Sequence, residues 1–115
     1  MTTEHEEKMP LGKLIAYRVA KEVLGMVVQL RIRDRSLRDQ AVRAAQSCCL
    51  NIAEAQGRWP GPDRTRVYRI ARGECCEVYA ALEIAQISGA TSASCERALA
   101  ETGRLYALLT GLSRK

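Results

Sequence analysis

Few side chains in this 115-residue sequence are equipped for covalent or metal chemistry: five cysteines, one histidine and thirteen carboxylates. Cys48-Cys49 and Cys75-Cys76 are adjacent pairs, and Cys95 stands alone. Neighbouring residues on a helix project about 100° apart, so neither pair can chelate one ion from one helix as a CxxC loop does. One cysteine of each pair with Cys95 would make a site across helices; small buried core residues are the plainer reading, and no metal is expected. An odd number of cysteines in a chain without a secretion signal argues for reduced thiols. Glu54 and Glu77 are the carboxylates that could share acid–base work, but arginines beside them would hold both ionised. His5 lies in a polar terminal stretch. No nucleotide-binding glycine loop, zinc-protease helix or nucleophile elbow occurs, so neither a catalytic residue nor a cofactor is expected and the chain reads as a non-enzyme.

The charge pattern favours phosphate recognition instead. Fourteen arginines and four lysines leave a net charge of +5. Residues 31–72 hold ten basic and four acidic groups, an excess of +6, while residues 1–30 balance to zero and residues 73–115 sum to −1. The guanidinium fork matches phosphate oxygens, and a clustered excess raises the local field. Candidate contacts to RNA or DNA are therefore Arg31, Arg33, Arg35, Arg38, Arg64, Arg66, Arg69 and Arg72. A solvated basic surface is the competing explanation. Trp59, within Arg58-Trp59-Pro60-Gly61-Pro62-Asp63, offers a face to a nucleobase or a cover for the end of a bundle, and the cover is the expectation.

Helices must position these groups. Alanine, leucine, arginine and glutamate dominate and phenylalanine is absent, a mix that favours helices over a β-sandwich. Residues 1–9 read as a disordered tail and 10–115 as one domain, with helices expected at about 10–30, 36–57, 62–88 and 92–113. Pro10 fits a first turn, Ser36 with Asp39 looks like a capping box, Gly57 and two prolines break the chain, Gly89 closes the third helix, and hydroxyls from Thr91 to Ser94 can cap the fourth. The periodicity turns Ile15, Val19, Val23, Met26, Val27 and Leu30 of the first helix inward, with Leu14, Leu24 and Val28 on its far side. In the second, Leu37, Ala41, Ala44, Ala45, Cys48 and Ile52 face the core, and Val42, Cys49 and Ala53 form a narrower apolar strip. A polar seam of Gln40, Arg43, Ser47, Asn51, Glu54 and Arg58 runs beside them, with Glu77 of the third helix expected level with Arg43, and Arg66 level with Glu54. The third helix directs Val67, Ala71, Cys75, Val78, Leu82 and Ala85 inward, and carries Gly73, Cys76, Ala80, Ile84 and Ile87 on the opposite side. A helix apolar on two sides is covered on two sides, so a second copy of the chain is expected against that face. The fourth helix turns Cys95, Ala98, Leu99, Thr102, Leu105, Tyr106, Leu109 and Leu112 inward. No apolar run approaches the roughly twenty residues of a membrane span, and a cytoplasmic location is expected.

The run Gln40-x-x-Arg43-Ala44-Ala45-x-Ser47-x-x-x-Asn51-Ile52-Ala53-Glu54-x-x-Gly57-Arg58, followed by Ile70-Ala71-Arg72-Gly73-x-x-x-Glu77, resembles the bacterial four-helix-bundle family encoded in intervening sequences of 23S ribosomal RNA genes. The match is specific from about Ser36 to Gly89. Ala55 departs from a usual glycine, Glu74 from a frequent serine, and Arg31 to Arg35 from a frequent proline. The resemblance implies an antiparallel up-down four-helix bundle that forms a ring, a pentamer. It also implies a nucleic-acid role, because the accessory protein of diversity-generating retroelements is a relative. It implies no reaction. Two functions remain: a basic ring that binds RNA or DNA, or an interaction scaffold for a protein partner.

Overall fold

The computed structural model describes residues 11, 14–91 and 93–114. The expected tail, His5, Pro10 and Ser92 lie outside them. Among the described residues the protein is all-α, with α1 at Ile15–Gln29, α2 at Arg35–Gln56, α3 at Pro62–Ile87 and α4 at Glu96–Leu112. Each helix packs on two others, α1 on α2 and α4, and α3 on α2 and α4, so the four close around one core.

The α2–α3 contact is the most extensive, and small residues explain it. Ala41, Ala44, Ala45, Cys48, Ile52 and Ala55 of α2 are buried, as are Val67, Tyr68, Ala71, Cys75, Val78, Ala81, Leu82 and Ala85 of α3. Alanine at the crossing positions lets helix axes approach closely. Bonds across this contact tie rising numbers on α2 to falling numbers on α3: Cys48 Sγ donates to Ala71 O at 3.4 Å, and Arg64 Nε donates to Ala55 O at 3.1 Å.

In α1 the inward stripe is Ala16, Val19, Ala20, Val23 and Val27. Ile15, expected inward, is 56% exposed, while Leu14 and Leu24, expected outward, pack partly on the core. Bulk misleads the periodicity there: two alanines hold the face, and of the expected far side only Val28 stays exposed.

Helix ends depart from expectation in instructive ways. Asp34, not Ser36, caps α2, its Oδ1 accepting from Leu37 N at 2.9 Å. Asp34→Ala is expected to cost about 1 kcal/mol in urea unfolding, and Ser36→Ala a few tenths or less. Gly57 ends α2 with φ −78°, a conformation open to any residue. Gly61 at φ 143° does need glycine, and Pro62 then opens α3 at its first turn. Gly89, at φ 66°, ends α3 in a Schellman motif, with Ala90 N donating to Ala85 O and Gly89 N to Gln86 O. At α4, Ser94 Oγ accepts from Glu96 N at 3.2 Å, and Gln86 Oε1 accepts from Cys95 N at 3.3 Å.

Candidate nucleic-acid interface

The eight candidate arginines divide sharply by what they already hold. Arg31 adopts a positive φ of 50°, which turns the chain so that Ile32 is fully buried. Arg33 then binds the loop after α3, its N–H donating to Ala90 O at 2.7 Å and its guanidinium to Gly89 O. Arg38 donates to Ile32 O at 3.0 Å. Arg64 clasps the end of α2, donating to Ala55 O, Gln56 O and Arg58 O, the last at 2.6 Å. Arg72 joins α3 to α4, donating to Thr110 Oγ1 at 2.9 Å and to Tyr106 Oη, with its guanidinium 4.5 Å from the Tyr106 ring centre. Arg66 pairs with Asp63 at 3.1 Å. Arg31, Arg35 and Arg69 are exposed and hold no ion pair or side-chain hydrogen bond among the described residues. Five of the eight thus hold partners within the fold, a use that arginine spacing in a sequence does not reveal.

The polar seam is also connected differently from the expected register. Arg58 binds Glu54 at 2.6 Å and also Asp63, so the Glu54 partner is Arg58 in the turn just past its own helix and not Arg66. Arg43, Glu77 and Gln40 are exposed, and no Arg43–Glu77 pair forms among the described residues. The cross-helix bond is Asn51 Nδ2 to Glu74 Oε1, 2.8 Å, with Ser47 half-buried one turn away. Glu74, in the sequence no more than a departure from serine, is thus the half-buried anchor of the seam.

Hydrogen bonds from Arg58 and then Arg66 hold the Asp63 carboxyl below its usual range. A lowered folded value stabilises the turn above the unfolded pKa of about 3.9, and that stability is lost as pH falls through the folded value. At low salt, the emission anisotropy of Trp59 is expected to fall on acidification, and in Asp63→Asn to lose that step.

The outward side of α3 is exposed along its length at Gly73, Cys76, Ala80, Ile84 and Ile87, with Ile84 at 51% and Ile87 at 86%. Beside it, between α3 and α4, runs a groove of about 530 Å³ walled by Tyr79, Ile87, Leu99 and Gly103. A side chain at Gly103 would meet nothing within 4 Å, so nothing inside the protomer requires glycine there. Mid-helix glycine costs roughly 1 kcal/mol against alanine.

Cys48, Cys49, Cys75 and Cys95 are buried and Cys76 is exposed, all as free thiols. Burial first, and then Cys76, push Cys75 up to about 12; burial raises Cys48 as well, helped by Cys75, Cys49 and Glu74. Both are protonated donors, Cys75 to Thr102 O at 3.3 Å and Cys48 to Ala71 O. No three cysteine, histidine or acidic side chains among the described residues gather into a metal set.

Trp59, expected to cover the end of the bundle, is 89% exposed at the tip of the α2–α3 turn. Two prolines and Gly61 steer the chain away from the core before the indole can fold back. No described helix is long and apolar enough to cross a membrane. No curated protein matches the chain. Residues 13–111 match the family of 23S rRNA-intervening sequence proteins, and with nearly the whole helical region covered the chain belongs to that family.

Proposed function

We propose that this protein is an antiparallel, up-down four-helix bundle that closes into a ring of identical subunits, a pentamer by family resemblance, and binds RNA or DNA without catalysing a reaction. The observation that carries it is the set of exposed arginines without internal partners, Arg31, Arg35 and Arg69, in a segment whose net excess is +6. Arg66 adds a fourth, since one carboxylate leaves part of its fork open. Falling numbers on α3 opposite rising numbers on α2 support the antiparallel arrangement. The exposed stripe of Gly73, Cys76, Ala80, Ile84 and Ile87 supports a subunit interface, with Arg43 and Glu77 available to set its register. Repeating a weak phosphate contact around a ring multiplies its affinity.

Binding to labelled RNA and DNA at varied salt tests this. On duplex DNA, log affinity should fall linearly with log salt, by about 0.9 per phosphate neutralised. Arg31→Gln with Arg35→Gln should flatten the slope by about 1 for each phosphate no longer neutralised, without changing oligomer size. Arg33 is left in place because it holds the loop after α3. Absence of binding at about 50 mM salt, where phosphate contacts are strong, would replace the nucleic-acid function with that of a protein scaffold.

A further inference from the structure

Trp59 is the only tryptophan in the chain and is 89% exposed, and no ring contact holds its indole among the described residues. Its backbone is nevertheless firmly held. Arg64 gathers the carbonyls of Ala55, Gln56 and Arg58 just before it, and Arg58 is fastened to both Glu54 and Asp63. Pro60, Gly61 at φ 143° and Pro62 follow, and α3 begins at once. An indole on so fixed a turn loses little backbone freedom when it stacks. The turn from Gly57 to Asp63 frames an open concavity of about 470 Å³.

The surrounding charge is positive. Residues 56–72 contain five arginines and one acid, Asp63, whose carboxylate is engaged by Arg58 and Arg66. Arg69 lies one turn further along α3, exposed. A lone large aromatic among arginines differs from a protein-docking patch, which presents contiguous apolar area; the other ring-bearing residues of this turn are prolines. Aromatic faces within a basic groove are the means by which proteins hold unpaired nucleotides, because every base offers a π-face. In a duplex both faces of each base are already covered.

We infer that the α2–α3 turn is a stacking site for an unpaired base of single-stranded nucleic acid, with the Trp59 indole against the base and Arg66 and Arg69 on flanking phosphates. This inference rests on the nucleic-acid function proposed above and narrows it from any phosphate backbone to accessible bases.

Trp59 reports on its own occupancy, since all tryptophan emission comes from it. The protein is titrated with oligouridylate, oligothymidylate, inorganic polyphosphate and anionic phospholipid vesicles, following emission and, for the oligonucleotides, the anisotropy of a label. Both oligonucleotides should quench the emission; polyphosphate should compete for the arginines without quenching. Trp59→Ala should weaken oligonucleotide binding about ten-fold with the salt slope unchanged, and Trp59→Phe should keep most of the affinity. Equal oligonucleotide affinity in Trp59→Ala, with the arginine dependence intact, would overturn stacking while leaving the arginine contacts standing. Absence of oligonucleotide and duplex binding alike would overturn both. Blue-shifted emission in the free protein, or a shift with vesicles alone, would assign the indole to a neighbouring subunit or a lipid surface and end the proposal.

Discussion

Arg64→Met is expected to destabilise the protein by about 3 kcal/mol, because hydrogen bonds from a charged donor contribute about 1.5–3 kcal/mol and this guanidinium serves three carbonyls at once. Of the last carbonyls of α2, Ala53 O accepts from Gly57 N and Ala55 O from Arg58 N, and Gly57 does not turn the chain left-handed to close a Schellman motif. Arg64 reaches back from the first turn of α3, donating to Gln56 O and Arg58 O and adding a second donor to Ala55 O. Methionine keeps the apolar stem and removes only the donors. At about 4–8 °C per kcal/mol for a domain near this size, Tm should fall by about 10 °C or more, compared at one protein concentration. Arg64→Lys should recover little, since one ammonium cannot match the fork. Arg66→Met, which removes an exposed pair to Asp63, should shift stability by about 0.5 kcal/mol or less. A Tm unchanged in Arg64→Met would mean that water serves those carbonyls as well.

Helix α3 is legible in the sequence because its inward positions recur at strict helical spacing among charges, and all six expected core residues are buried. Helix α1 is less so: its apolar residues wrap most of the cylinder, and alanine carries too little hydrophobic signal to show that Ala16 and Ala20 hold the face while Ile15 does not. The cap of α2 falls two residues from its expected site because Asp34 and Ser36 both offer the same chemistry, and only the chain's exit from the buried Ile32 decides between them. Arginines are the least legible. Arg33, Arg38, Arg64 and Arg72 have the composition of a phosphate site and the contacts of a scaffold, because the guanidinium donors that suit a phosphate also bind a carbonyl or tyrosine oxygen. Trp59 misleads for a related reason: hydrophobic bulk argues for burial, whereas Pro60 and Pro62 fix the backbone that keeps it out.

Ala80→Glu combined with Ile84→Glu is expected to convert the proposed ring to monomer. Both positions are exposed in the protomer and lie four residues apart on α3, so they share one face, and the substitution should leave the fold itself nearly unchanged. Their consequence falls on the interface. Burying a carboxylate without a partner costs several kcal/mol, and a closed ring repeats that cost at each contact between subunits. Light scattering on a sized column measures the change, with Arg97→Glu on the exposed outer side of α4 as a variant that should stay assembled. Cys76 supplies an independent footprint. It is the exposed thiol among five, and it lies on the same stripe one turn before Ala80. In the assembled wild type it should resist alkylation, and in the dissociated variant one thiol per chain should react while Cys48, Cys49, Cys75 and Cys95 stay buried and protected. Rapid labelling of Cys76 in a wild type that still scatters light as an oligomer would move the interface to another face. A wild type that scatters as a monomer at micromolar concentration would remove the ring, and with it the repetition on which the affinity of the arginine contacts depends.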